Sequence, residues 1–298
     1  MKILINDGMS PGGQKMLVDA GFEVVTETIP QDELAGKIGE FDGIVVRSAT
    51  KVRRDIIDAG VPRLKIVVRG GVGIDNIDHV YAEEKGIKVM NTPYASSPSV
   101  AELVLAHMFA ISRFLIPANL TLRMGEWNKK QYKGVELAGK TLGILGIGRI
   151  GQSLASKAIA LGMTVIAYDP FIDSVDLDVE MKSMDEVLGN SDFVSLHMPA
   201  QKDGAVVGEA EFAKMKDGAF LVNCARGGVV DEAAMLAALD SGKLAGAGID
   251  VYVGEPSPDS KVLNHSKVSV TPHIGASTKE AQSRIGVDVA NNIIGFLK

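Results

Sequence analysis

The 298-residue chain reads as an α/β protein of two doubly wound parallel-sheet domains, and three observations lead there. Short β-rich apolar runs alternate with helix-patterned stretches from end to end, the order that builds parallel sheets covered by helices. Several of these runs are apolar on both faces, as buried parallel strands are. Glycine is abundant, 33 of 298 residues, with no collagen period or low-complexity tract, which suits tight turns and close backbone approaches.

In chain order, the strand candidates are residues 2–6, 43–47, 65–68, 141–145, 164–168, 193–196, 219–222, 247–251 and 268–271. After the first three comes a polar connector, Asn91-Thr92-Pro93-Tyr94-Ala95-Ser96-Ser97-Pro98, which marks a change of domain. A long apolar helix is expected from about Ser99 to Phe114. Residues 149–160 form a second helix, because Ile150, Leu154, Ala158 and Leu161 recur at helical spacing. The chain turns back near Thr271-Pro272-His273-Ile274-Gly275 and ends in a helix of about twenty residues. The expected division is residues 1–96 with 279–298 as one domain, and 97–278 inserted as the other.

The balance of 31 basic against 37 acidic side chains, a net −6, argues against a general nucleic-acid binder. A single cysteine, Cys224, excludes an intramolecular disulfide and a multi-cysteine zinc site. The N-terminus runs into a strand without signal-peptide architecture. The most apolar stretch, 103–112, lies between Glu102 and Arg113 and falls short of the ~20 residues of a membrane span. The expectation is a soluble, cytoplasmic protein that needs no membrane.

The strongest local motif is Gly146-Ile147-Gly148-Arg149-Ile150-Gly151. A G-x-G-x-x-G match is weak alone, but here a strand leads in, a helix leads out, and the next strand ends in Asp169, 18 residues past the last glycine. In that context the glycines allow the turn and the pyrophosphate's approach, the helix N-terminus attracts phosphate, and the carboxylate binds ribose hydroxyls. The spacing predicts dinucleotide binding. Residues 134–141 also fit the P-loop pattern, yet a polar stretch precedes them and a strand follows, so that match is coincidental.

Of the five histidines, His79 and His107 fall in helical patterns and His265 in a polar loop. His197 and His273 sit just past strands, at the edge where open α/β sheets bind ligands, and spacing alone does not choose between them. Metal-spaced histidines, H-E-x-x-H and G-x-S-x-G are all missing, so no metal is expected. Arg226, within Asn223-Cys224-Ala225-Arg226-Gly227-Gly228, suits a carboxylate through its bidentate fork, or equally a structural ion pair. Cys224 reads as a small buried hydrophobe.

Taken together, several ordered blocks resemble the D-2-hydroxyacid dehydrogenase family across essentially the whole chain. They are Val46-Arg47-Ser48-Ala49-Thr50-Lys51, Arg69-Gly70-Gly71-Val72-Gly73-Ile74-Asp75-Asn76, the glycine fingerprint, residues 223–228, Gly254-Glu255-Pro256 and Pro272-His273-Ile274-Gly275-Ala276-Ser277-Thr278. The resemblance implies a Rossmann NAD-binding domain inserted into a flavodoxin-like substrate domain. It implies that His273 is the catalytic acid–base, Glu255 its carboxylate partner and Arg226 the group that binds the substrate carboxylate. His197, Met198 and Pro199 then line the cofactor, as do Val72, Arg149, Ile150, Cys224, Ala225, Gly275 and Ala276, with Asp250 near the nicotinamide carboxamide. Gly70, Gly71 and Val72 match a loop whose amides meet the substrate. Arg47 and Arg69 match positions favouring a phosphorylated substrate, Ser48 a further substrate-binding position, and Arg113 one contributed by a neighbouring subunit.

The branch most resembled oxidises D-3-phosphoglycerate with NAD, towards serine, as a homodimer through the NAD-binding domain or as a tetramer. Many of its members carry a C-terminal regulatory domain, which is not expected here. The alternatives are an unphosphorylated D-2-hydroxy acid of the glyoxylate or hydroxypyruvate type, and a non-enzymatic NAD-responsive corepressor.

Overall fold

Among the described residues, 1–201 and 204–298 of a computed structural model, every pairing between the named strands is parallel, and the chain divides into two units. Met1–Ser96 with Ala276–Lys298 forms one, Ser97–Gly275 the other.

The first unit alternates β1 (Lys2–Ile5), α1 (Pro11–Asp19), β2 (Glu23–Val25), α2 (Gln31–Lys37), β3 (Gly43–Val46), α3 (Arg54–Gly60), β4 (Ile66–Arg69), α4 (His79–Glu84) and β5 (Lys88–Asn91). Its strand order is β2-β1-β3-β4-β5, the flavodoxin-like order. Alternate residues feed opposite faces: Leu4, Ile44, Val46 and Val67 join Leu34 and Ile57 on one side, whereas Ile3, Ile5, Val45 and Val68 join Leu17 on the other.

The second unit begins with α5 (Ser97–Ser112) and α6 (Leu115–Arg123). It continues through β6 (Thr141–Leu145), α7 (Arg149–Ala160), β7 (Thr164–Tyr168), β8 (Glu180–Met181), α8 (Met184–Asn190) and β9 (Phe193–Leu196). Then follow α9 (Glu209–Lys214), β10 (Ala219–Asn223), α10 (Glu232–Asp240), β11 (Leu244–Ile249), α11 (Ser260–Asn264) and β12 (Val268–Val270). The strand order β12-β11-β10-β9-β6-β7-β8 reverses direction between β6 and β9, which creates the switch point of a Rossmann sheet.

The chain closes on the first unit with α12 (Lys279–Leu297), whose Ile285, Val289 and Ile293 cover the Ile3–Val68 face. Its Gly286 meets α1 so closely that a Cβ on Gly13 would fall 2.5 Å from the Gly286 carbonyl oxygen.

Three strands were not anticipated: β2, β5 and β8. All are edge strands with few buried side chains, so they lack the two-sided apolar pattern that reveals the central ones. Arg69 ends β4 rather than following it. The long apolar helix runs Ser97–Ser112, two residues earlier at each end than its pattern suggested. Most of it is core, since Val104, Met108 and Ile111 pack with Leu142, Ile144 and Leu154. Its outer side keeps Ala106 and Phe109 exposed, and the next helix carries further exposed apolar surface. α6 buries none of its residues, and Leu115, Leu120 and Leu122 stand exposed, with Trp127 beyond it 81% exposed. Among the described residues, no single helix is long and apolar enough to cross a membrane.

Candidate active site

The three fingerprint glycines differ in what a side chain would meet. Gly146, at φ +97°, would drive a Cβ to 2.7 Å from the His197 carbonyl oxygen, and Gly151 would place one 2.4 Å from the Gly146 oxygen. Those two are needed by the turn itself and by the seating of α7 on it. A Cβ on Gly148 would meet nothing within 4 Å. Open space at that glycine, at the N-terminus of a twelve-residue helix, is room for a pyrophosphate to approach backbone amides. Arg149 lies exposed and Ile150 half-buried in the first turn of α7.

Asp169, just past β7, holds the turn from the other side. Its Oδ2 accepts from the Ile147 amide at 3.0 Å and its Oδ1 from the Phe171 amide at 2.9 Å. The motif spacing did not reveal that bracing. Beside the turn, His197 Nε2 meets Ser195 Oγ at 2.9 Å, while its buried Nδ1 has no partner among the described residues. Desolvation pushes this imidazole down to about 4, so it is neutral at physiological pH. The open glycine, the helix terminus, the carboxylate and the orphaned nitrogen fit a dinucleotide. Met198 and Pro199 continue from His197 at the same sheet edge, and Cys224 and Ala225 are buried just past β10. Burial raises the Cys224 thiol well above its ordinary value, which favours the neutral thiol.

The other strand-end histidine has a different environment. His273 is partly exposed, and its Nδ1 lies 2.8 Å from Glu255 Oε2. Glu255 Oε1 accepts from the Tyr252 amide at 2.9 Å. Burial opposes the charge on Glu255, but the His273 contact, that amide and Arg226 together hold its carboxyl below the usual range. A carboxylate accepting at Nδ1 leaves His273 Nε2 as the atom available for proton exchange.

Arg226 is half-buried and its Nη1 donates to the Ala225 carbonyl at 2.7 Å. Asn223 shapes this loop: its side chain donates to the Arg226 carbonyl and accepts from the Ala225 amide, each at 3.0 Å. Asp250 is only 1% exposed and faces inward, accepting from Thr271 Oγ1, the Ile274 amide and the Gly275 amide.

In the first unit, Arg47 directly follows β3 and Arg69 ends β4, and Val46 pairs with Arg69 across the two strands. Arg47 donates from Nη1 to Gln282 Oε1, and burial lowers its pKa against the opposing pull of Asp7. A Cβ on Gly71 would strike the Arg69 guanidinium, so glycine there leaves that side chain its room. Ser48 is exposed, Gly70 is buried, and Val72 accepts at its carbonyl from Asn91 Nδ2. Ala276 accepts from Gln282 Nε2 at 2.6 Å. Arg113 is exposed just past α5. Gln282 and Asp7 carry no motif; only long-range contacts reveal them.

The sequence model of "D-isomer specific 2-hydroxyacid dehydrogenase, NAD binding domain" matches residues 105–275. The chain belongs to the D-2-hydroxyacid dehydrogenases. It is an NAD-dependent enzyme of that family, and the unit bearing the glycine turn is its NAD-binding domain. The chain is 47% identical over 297 residues to a hydroxypyruvate reductase of Thermotoga maritima, covering 98% of this chain and 97% of that protein. It is 44% identical over 303 residues to a D-3-phosphoglycerate dehydrogenase of Methanocaldococcus jannaschii, covering 100% of this chain but 58% of that one. The chain therefore spans about half the length of the phosphoglycerate dehydrogenases it matches. Among solved structures, a glyoxylate reductase of Paecilomyes thermophila superposes with a TM-score of 0.90 at 32% identity, covering 100% of this chain and 96% of that one.

Proposed function

We propose that this enzyme oxidises D-3-phosphoglycerate to 3-phosphohydroxypyruvate, a reaction that leads towards serine. Two basic side chains at neighbouring strand ends, Arg47 and Arg69, carry the reading. A 3-phosphoglycerate has two anionic ends, and one arginine serves only one of them. Burial already makes the charge on Arg47 costly, and a phosphate dianion beside it offsets that cost. In this reading Arg47 and Arg69 take the phosphate, assisted by Ser48 and the backbone of Gly70, Gly71 and Val72, while the Arg226 fork takes the carboxylate.

His273 Nε2 removes the proton from the substrate hydroxyl, with Nδ1–H held by Glu255 so that the ring is presented in one tautomer. The carboxylate also stabilises the imidazolium that results. Bound NAD, held by Gly146, Gly148, Gly151 and Asp169, supplies the hydride acceptor. The exposed apolar side chains of α6 support a homodimer built on this domain, with Arg113 beside that surface.

A second reading, reduction of unphosphorylated hydroxypyruvate or glyoxylate, is favoured by the 47% identity to a hydroxypyruvate reductase. The phosphate separates the two. Arg47→Ala is expected to lower kcat/KM for 3-phosphoglycerate and hydroxypyruvate phosphate by tens- to a hundredfold, the loss of a charge-assisted contact of about 1.5–3 kcal/mol. Activity on hydroxypyruvate should change much less. Equal losses on both substrates overturn the phosphate assignment, and a wild-type preference for hydroxypyruvate favours the second reading.

A further inference from the structure

A continuous chain of hydrogen bonds, buried at its α5 end, runs from α5 to the loop carrying His273, and neither the dyad nor the cofactor turn uses it. His107, in the middle of α5, is 2% exposed. Its Nδ1 lies 2.9 Å from Ser269 Oγ and its Nε2 3.0 Å from Thr271 Oγ1. Thr271 Oγ1 in turn donates to Asp250 Oδ1 at 2.6 Å. Asp250 then accepts the two amides that follow the catalytic histidine, Ile274 at 2.8 Å and Gly275 at 2.9 Å. β11 makes room for the ring, because a Cβ on Gly248 would stand 2.6 Å from that of His107.

The chain has one direction. Carboxylate oxygens only accept, so the Thr271 hydroxyl spends its hydrogen on Asp250 and must accept from His107 Nε2–H. Nδ1 is then an acceptor and Ser269 donates to it. Burial lowers the His107 pKa despite the nearby charge of Asp250, which favours the neutral ring, and the Thr271–Asp250 bond selects its tautomer.

At the far end the backbone is strained. His273 has φ +55°, a left-handed conformation that non-glycine residues hold only when their surroundings over-determine it. Asp250 supplies that constraint by gripping both following amides, and Tyr252 adds to it by donating its hydroxyl to the Thr271 carbonyl at 2.9 Å.

We propose that His107 is a positioning residue for the dehydrogenase reaction: through Thr271 and Asp250 it sets the left-handed turn that presents His273 to substrate. This rests on the reading of His273 as the acid–base. The polar chain costs the core a buried imidazole, the buried Ser269 hydroxyl and the half-buried Thr271 hydroxyl where apolar side chains would pack. What it supplies is a single orientation for Asp250.

The test compares His107→Leu, His107→Gln, His107→Asn, Thr271→Val and the His107→Leu/Thr271→Val pair, assayed with hydroxypyruvate and with its phosphate well below the melting temperature. NAD affinity by calorimetry and Tm accompany kcat and KM. His107→Leu is expected to lower kcat roughly ten- to a hundredfold, the scale of a small displacement of a catalytic group. NAD binding through the glycine turn should persist. His107→Gln keeps a donor at the position of Nε2 and should recover most of kcat, whereas His107→Asn reaches only Ser269 and should not. Thr271→Val should match His107→Leu, and the pair should be no worse than either alone.

A histidine that serves packing alone lowers Tm and leaves kcat intact. That result, equal behaviour of the Gln and Asn variants, or losses that add in the pair would each overturn the proposal. If His107→Leu does not fold, the Gln–Asn contrast and Thr271→Val decide. His273→Ala is the control. Should it keep turnover, the acid–base reading fails; an inactive His273→Ala beside a fully active His107→Leu refutes only the inference about His107.

Discussion

Glu255→Gln isolates what the carboxylate contributes. Two donors converge on it, His273 Nδ1 at 2.8 Å and the Tyr252 amide at 2.9 Å. A glutamine side chain has nearly the same shape but one acceptor oxygen, so one donor loses its partner or the imidazole changes tautomer. The changed tautomer carries its proton on Nε2 and cannot act as base. A lost charge-assisted bond costs about 1.5–3 kcal/mol. The two side chains are 33% and 37% exposed, and water screens the pair, so the lower end applies. A loss of about 1.5 kcal/mol corresponds to roughly tenfold in kcat/KM.

The same substitution has a pH signature in stability. The folded-state pKa of Glu255 is depressed, so its contribution is fully present above the unfolded carboxyl value and is lost as pH falls through the lower folded one. Wild type should therefore resist urea better than the variant at neutral pH, and the gap should close in acid. The assays are NADH absorbance under steady-state conditions and urea midpoints across pH. Unchanged kcat/KM, or a stability gap that persists in acid, would refute the reasoning.

Gly148→Val should fold with near-normal Tm yet lose NAD affinity, because its side chain enters space left open by the protein; calorimetry with NAD checks this. Gly151→Val, aimed at the Gly146 oxygen, should lower Tm sharply, and equal behaviour of the two variants would contradict the division of labour in the turn. The enzyme should strongly prefer NAD over NADP, since Asp169 repels a 2′-phosphate and exposed Phe171 offers no cation, and Asp169→Ala should narrow that preference in kcat/KM. A double substitution, Leu120→Glu with Leu122→Glu, should convert a dimer into monomer by light scattering, and a wild-type monomer at micromolar concentration would end the dimer hypothesis.

Much of the second unit was legible because its signals are local. The glycine turn, the strand before it and the helix after it lie within twenty consecutive residues, and Asp169 follows at the next strand end. The central strands announced themselves by burial on both faces, while edge strands β2, β5 and β8 did not. The apolar stripe of α5 was visible too, yet an apolar face looks the same whether it packs on its own sheet or on a second molecule. The fold put Val104, Met108 and Ile111 in the core, left Ala106 and Phe109 exposed, and added the exposed leucines of α6.

The choice between the two strand-end histidines was beyond spacing. Tertiary structure separates them by environment, His197 half-buried with its Nδ1 shielded and pushed down to about 4, His273 open and paired with Glu255. Contacts across long stretches of chain were equally hidden: Gln282 on Arg47 spans 235 positions, and Ser269 on His107 spans 162. Composition and periodicity determine which segments become strands and helices, since those depend on neighbours a few residues away. Strand order decides which side chains meet, and the polar pairs it creates leave no period in the sequence, because each partner is conditioned by geometry supplied from the far end of the chain.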